Sequence, residues 1–237
     1  MAVRKVGVVG AGTMGSGIAQ LAATHGCTVE LLDADETVVR QAMENIRSRL
    51  AGLVEKGRLS SAQSDDIAAR LLPATGYDCL SGSDLIIEAV IEDRQTKASV
   101  LVELEKVCRP DAVLASNTSS LSISSLSEEL ADPGRLVGMH FFNPAPVMPL
   151  VEIIAGRRSR PRFVDLAFDT AVAWGKTAVR AKDTPGFIVN RVARPYYLEA
   201  LRMLGEGIAD VAAIDRIMKA GGFRMGPFET MDLGGMG

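Results

Sequence analysis

The chain has 237 residues, 47% of them hydrophobic and 23% charged, with a formal net charge of −3. This ordinary globular composition excludes collagen-like, disordered and mucin-like chains, and the mild acidity lacks the basic field that sequence-independent nucleic-acid binding requires. The length allows one large domain, or a large one with a small companion. Three widely spaced cysteines, Cys27, Cys79 and Cys108, form no CxxC pair. A disulfide framework or a zinc site is therefore not expected, and a reducing, cytoplasmic setting fits.

Val3–Val9 reads as an apolar strand, Thr13–His25 as a helix and Thr28–Leu32 as a second strand. No formal charge falls between Lys5 and Glu30, which imitates the basic start and apolar run of an export signal. Gly7, Gly10, Gly12, Gly15, Gly17 and Gly26 favour a buried strand, a glycine turn and a buried helix instead. The turn is Gly10-Ala11-Gly12-Thr13-Met14-Gly15, a GxGxxG that follows a strand and opens a helix. In that setting Gly10 makes the tight turn, Gly12 admits a pyrophosphate to the helix N-terminus, and Gly15 permits close helix–strand packing. Asp33 ends the second strand at the spacing expected of the acid that accepts from the adenosine ribose hydroxyls. Asp35 and Glu36 follow it, so a 2′-phosphate would meet like charge, and NAD is favoured over NADP.

Val39, Met43, Ile46, Leu50 and Leu53 then recur at helical spacing along one long amphipathic helix. Leu85–Ile91 is a buried-type strand, Gln95–Val107 a helix and Val113–Ser116 a strand. Ser116-Asn117-Thr118-Ser119-Ser120 closes that strand, either as a cap leading into a helix at Ile123–Leu130 or as hydroxyls presented to a substrate oxygen. Leu136–Phe142 and Leu150–Ala155 are further strands. His140 lies at the C-terminal end of the first, where doubly wound sheets bind ligands, whereas His25 suits a helix end. Glu152 is the only charge in Leu150–Ala155, and a buried carboxylate needs a partner that an imidazole can supply. Arg157–Arg162 is a basic run read as a solvated loop. Pro161–Trp174 reads as a helix and Thr177–Ala181 as a strand.

Strands alternating with helices give an α/β, Rossmann-type doubly wound, mostly parallel sheet over residues 1–183. Residues 184–237 read as a smaller all-helical C-terminal domain, with helices at Phe187–Gly205 (Pro195 as a kink) and Asp210–Ala220. Asn190, a polar residue in an apolar helix start, serves either packing or a cleft.

With these residues in view, the chain resembles the 3-hydroxyacyl-CoA dehydrogenases of the 3-hydroxybutyryl-CoA dehydrogenase type. The likeness is carried in order by Gly10–Gly15, Ala115–Leu121, His140–Pro144, Leu150–Glu152, Lys182–Arg191 and Met225–Glu229. It implies NAD-dependent, reversible oxidation of (S)-3-hydroxyacyl-CoA to 3-ketoacyl-CoA, as in fatty-acid β-oxidation or butanoate metabolism. By the same resemblance, His140 is the general base, Glu152 orients it, and Ser119 and Asn190 hold substrate oxygens. Asp33, Glu92, Lys97, Ser119 and Asn143 lie along the NAD site. Lys56 matches a CoA-contacting lysine, and Arg49 stands where the family has a CoA-contacting serine. No metal is implied and no membrane is involved. A homodimer through the helical domain is the expected assembly. Pro149 replaces a lysine common in the family, and the chain ends at Gly234–Gly237, where relatives continue through further helices, so the helical domain is expected to be truncated. Two alternatives accompany this reading: a dehydrogenase of a free hydroxy acid or polyol, and a non-catalytic NAD-binding relative.

Overall fold

The computed structural model describes residues 3–233; the glycine-rich end at 234–237 lies outside that range. It divides into two compact units, Met1–Pro185 and Gly186–Gly237.

The first unit opens with β1 (Lys5–Val9), α1 (Thr13–Thr24) and β2 (Thr28–Leu32). Next comes α2 (Glu36–Glu55), started by Asp35, whose carboxylate accepts from the Thr37 N–H. Its buried stripe includes Val39, Met43, Ile46 and Leu50. A third helix, α3 (Ser61–Ala69), and a short strand, β3 (Leu71–Pro73), follow; apolar periodicity indicates neither. A Ser60/Gln63 capping box starts α3, and Pro73 is tolerated because β3 forms a sheet edge. After a 3₁₀ turn at Tyr77–Gly82 come β4 (Leu85–Glu88), α4 (Arg94–Val107), β5 (Val113–Ser116) and the short α5 (Ile123–Leu126). The fourth strand stops at Glu88 rather than Ile91, and Ala89–Ile91 instead wall a cleft. Likewise α5 ends at Leu126, and a 3₁₀ turn takes Ser127–Glu129. The unit closes with β6 (Leu136–Phe141), β7 (Leu150–Ala155), α6 (Pro161–Ala173) and β8 (Thr177–Lys182).

The eight strands lie in the order β3-β2-β1-β4-β5-β6-β7-β8. Among the described residues, all pairs are parallel except β6–β7. That reversal follows from the connection: only residues 142–149 separate β6 from β7, too few for the crossover a parallel pair needs. The core sits on both faces of the sheet: Val6, Val8, Leu31, Ile87, Val113 and Val137 are fully buried on one, and Ile86, Leu114 and Leu136 on the other.

The second unit contains α7 (Val189–Gly205), α8 (Val211–Ala220) and α9 (Pro227–Leu233). The first of these starts two residues later than the sequence suggests, because Gly186 and Phe187 both adopt positive φ and turn the chain beforehand. It runs through Pro195, and α8 is capped by Asp210 as expected. Tyr196 donates to the Met225 carbonyl and stacks on Phe223, tying α7 to the segment before α9.

Candidate active site

Strand order reverses between β1 and β4, and open α/β sheets bind ligands in the crevice beyond the strand ends at such a point. The residues there are shaped for close approach. Gly10 has φ of +99°, and a Cβ on it would lie 2.5 Å from the Ala89 carbonyl oxygen. A Cβ on Gly15 would lie 1.7 Å from the Gly10 oxygen, so only glycine lets α1 pack on the turn. Gly12 differs: its absent Cβ would meet nothing within 4 Å and would project into open space. No side chain caps α1 at Gly12, which leaves its first N–H groups facing that space. At the end of β2, Asp33 accepts the Ala11 N–H at 2.7 Å and so holds the glycine turn against the second strand. Gly10, Gly12, Thr13, Met14 and Asp33 line one cavity of about 830 Å³, with Tyr77 and Val90 among its walls. An extended dinucleotide fits this cleft: bare N–H groups stand where phosphates would lie, and a carboxylate stands one strand away for a ribose.

Farther along the sheet, His140 and Glu152 are register partners across β6–β7. Side chains of directly opposed residues share a face, and His140 Nδ1 lies 2.7 Å from Glu152 Oε2. Glu152 is fully buried and His140 nearly so. A carboxylate can only accept, so it fixes the proton on Nδ1 and puts the basic lone pair on Nε2. The Phe142 ring packs beside the imidazole, with centroids 4.4 Å apart. The buried Lys176 ammonium donates to the carbonyls of Ala145 (2.7 Å) and Met148 (2.8 Å), which fastens the loop bearing Asn143. Asn143 itself is exposed on that loop.

Ser119 sits just past the end of β5 in a loop gathered by one carboxylate oxygen. Glu92 Oε1 accepts from Thr118 Oγ1 (2.6 Å), Ser119 N–H (2.9 Å) and Ser120 N–H (3.0 Å), and also from both serine hydroxyls. Burial would push the Glu92 carboxyl up, but the Thr118 hydroxyl, the Lys97 charge and these donors outweigh it and hold the pKa below the ordinary value. Lys97, read from sequence as lying along the cofactor site, is only 1% exposed. Its ammonium points at Glu88, a residue that sequence reasoning does not single out. Glu88 is the only charge in a buried strand, the same signal that marks Glu152.

Arg49 Nε donates to Gln20 Oε1 at 2.8 Å. With Gln41 and Asn45 it lines a polar cavity of about 510 Å³ on the other side of Gly12 and Thr13. Lys56 is the C-cap of α2 rather than a residue within it. It follows Arg49 by about two helical turns, or ~10 Å. In the second unit, Asn190 occupies the first turn of α7. His25 caps the C-terminus of α1, with Nδ1 2.9 Å from the Leu21 carbonyl.

Comparison with known proteins adds an independent line. Residues 5–184 match the family model described as 3-hydroxyacyl-CoA dehydrogenase, NAD binding domain, and residues 186–237 match the corresponding C-terminal domain. The chain is 44% identical over 232 residues to 3-hydroxyadipyl-CoA dehydrogenase of Escherichia coli K12, covering 98% of this chain and 49% of that protein. It superimposes on a crystal structure of 3-hydroxybutyryl-CoA dehydrogenase from Escherichia coli K12 with a TM-score of 0.96 and 43% identity, covering 98% of this chain and 50% of that one. It also superimposes on (S)-3-hydroxybutyryl-CoA dehydrogenase from Ralstonia eutropha with a TM-score of 0.95 and 38% identity, covering 98% of this chain and 82% of that one. The chain thus spans about half the length or less of the curated relatives it matches.

Proposed function

The chain belongs to the 3-hydroxyacyl-CoA dehydrogenase family, and from that premise we propose that it oxidises (S)-3-hydroxyacyl-CoA thioesters reversibly to 3-ketoacyl-CoA with NAD. The observation that carries this reading is the His140–Glu152 hydrogen bond, in the same sheet as the dinucleotide cleft. Oxidation of a secondary alcohol removes a proton from oxygen and a hydride from carbon. His140 Nε2 takes the hydroxyl proton, and the buried Glu152 carboxylate stabilises the imidazolium that results. NAD, when bound, supplies the hydride acceptor.

Gly10, Gly12, Thr13, Met14 and Asp33 bind the dinucleotide, and Glu92, Ser119 and Asn143 border its reactive end. Ser119 and Asn190 hold the substrate oxygens by hydrogen bonding. Arg49, in α2, and Lys56, at its C-cap, bind the phosphates of CoA; Arg49 offers a planar fork of donors where the family uses a serine. The helical unit pairs two copies into a dimer.

Purified protein supplied with acetoacetyl-CoA and NADH tests the reading. Loss of NADH absorbance that requires the thioester is expected, with free acetoacetate inert. If NADH is consumed with free acetoacetate as well as with its CoA ester, the CoA assignment fails; if it is consumed with neither, the dehydrogenase reading fails.

A further inference from the structure

Beneath the loop that carries Ser119 lies a buried ion pair with no part in the chemistry above. Glu88, at the C-terminal end of β4, is 0% exposed, and Lys97, in the first half of α4, is 1% exposed. The Lys97 ammonium donates to Glu88 Oε1 at 2.7 Å and to the Val90 carbonyl at 3.2 Å, and it lies 3.4 Å from Glu92 Oε2. Glu88 is as fully engaged. Its Oε1 also accepts the Val90 N–H at 2.8 Å, its Oε2 accepts the Ser116 hydroxyl at 2.6 Å, and its carbonyl accepts the Asn117 N–H at 2.8 Å. Asn117 in turn accepts the Phe141 N–H, next to His140, at 2.9 Å.

Burying two charges is costly and is repaid only by good geometry and complete hydrogen bonding. Here both conditions hold, and the pair joins the ends of β4 and β5 to the start of α4. Lys97 stands between two carboxylates, Glu88 and Glu92, which would otherwise repel. The other groups facing Glu92 are the hydroxyls and N–H groups of Thr118–Ser120. We propose that Glu88 and Lys97 are positioning residues: the pair fixes Glu92, and through Glu92 the Thr118–Ser120 loop, so that Ser119 meets the substrate in one place. The catalytic part of this inference rests on the role given above to Ser119; the ordering of the loop does not.

The Glu88→Gln, Lys97→Met double variant tests it. Both side chains stay close to native size and both charges leave together. The amide introduced at position 88 retains a donor for Ser116 and an acceptor for the Val90 N–H, so the fold is preserved. Amide hydrogen exchange is the first readout. Ser119 and Ser120 amides should exchange at least about tenfold faster than in the native protein, while Val8 in the central strand is unchanged. The second readout is kinetic. With acetoacetyl-CoA, kcat should fall about tenfold or more. NADH affinity should weaken with it, since Glu92 and Ser119 border the reactive end of the cofactor. Unchanged exchange at Ser119 and Ser120 overturns the proposal whether or not the protein is a dehydrogenase. Faster exchange at those two amides with native kcat overturns the catalytic part. Glu88→Gln alone, which removes the carboxylate that anchors Lys97 and leaves no unpaired buried anion, serves if the double variant does not fold: faster exchange at the same two amides supports the proposal, and native exchange overturns it.

Discussion

His140 and Glu152 are opposed residues in the antiparallel pairing of an otherwise parallel sheet. The short 142–149 connection turns β7 back on β6, and that reversal brings a carboxylate from a neighbouring strand to the Nδ1 side of the imidazole. The imidazole is therefore oriented by regular sheet geometry rather than by a loop. His140→Ala should lower kcat by about 10²–10⁴-fold, the usual contribution of a positioned general base, with NADH binding retained. Glu152→Gln tests the orientation separately. An amide can donate to Nδ1 and so place the proton on Nε2, where a base must carry a lone pair. Its kcat should fall by about 10² or more, with little change in NADH affinity. Steady-state kinetics paired with fluorescence titration of NADH read both; an active Glu152→Gln enzyme would remove the orienting role.

Gly12 and Gly15 stand three residues apart and should respond oppositely to the same substitution. A methyl group at Gly15 collides with the Gly10 carbonyl at 1.7 Å, which backbone must move to relieve. Gly15→Ala should cost about 3 kcal/mol or more of stability, at the upper end for overpacking. A methyl group at Gly12 meets nothing within 4 Å, and φ there is −65°, which any residue adopts. Gly12→Ala should be within about 0.5 kcal/mol of the native protein in unfolding free energy. Its methyl nevertheless fills the space through which a pyrophosphate approaches α1, so NADH should bind at least about tenfold more weakly, a loss of ~1.4 kcal/mol. Urea unfolding and NADH titration on the two variants separate the effects, and a Gly12→Ala protein that binds NADH normally would contradict the cleft assignment.

Much of this site is legible in the chain because its signals are local. The strand–turn–helix setting of Gly10–Gly15 and the lone carboxylate of Leu150–Ala155 need only short windows, and Thr28–Leu32 and Val113–Ser116 have the bounds their apolar runs indicate. The pieces that escape sequence reasoning do so for physical reasons. Neither α3 nor β3 has a strong apolar period: α3 buries only Ile67, and β3 is a three-residue edge. The Ser60/Gln63 capping box is the available signal. Glu88 is readable by the criterion applied to Glu152, yet the apolar run around it continues to Ile91 and conceals where the strand stops. Lys97 is not readable as buried. Its helix presents polar residues around it, and only the tertiary placement of Glu88 and Val90 draws its ammonium inward. Long-range partnerships such as Asp183 with Ser122 and Ser124 likewise leave no mark on sequence spacing.

One oxygen of Asp33 accepts the Ala11 N–H at 2.7 Å, and the residue lines the cleft in which the proposed function gives it the ribose. Asp33→Ser removes the charge and shortens the reach to Ala11. NADH affinity should fall about tenfold or more, while NADPH, freed of like-charge repulsion, should lose less or gain. The preference for NADH over NADPH should therefore narrow by at least about tenfold. Parallel titrations with the two cofactors measure it; an unchanged ratio would place the discrimination elsewhere.

Asp183 ties the last strand of the first unit to the segment following the Ser119 loop. It accepts from the Ser122 hydroxyl (2.8 Å), the Ile123 N–H (3.0 Å) and the Ser124 N–H (2.8 Å), shortly before the first unit ends at Pro185. Burial alone would raise its pKa, but the donors from Ser124, Ser122 and Ile123 outweigh it and hold the carboxyl below its ordinary value. A carboxyl whose folded pKa is depressed binds its proton more readily in the unfolded chain. Its stabilisation is therefore complete above the unfolded value, about 3.9, and is lost as pH falls through the lower folded value. Asp183→Asn should thus destabilise the protein at pH 7 by about 1–2 kcal/mol, the scale of hydrogen bonds to a charged group at a half-buried site. The gap between native and variant should close progressively below about pH 4, because the native carboxyl is then increasingly neutral as well. Urea midpoints of both proteins at neutral pH and near about pH 3 provide the comparison, and a gap that stays constant across that range would mean that the Asp183 charge contributes nothing to the anchor.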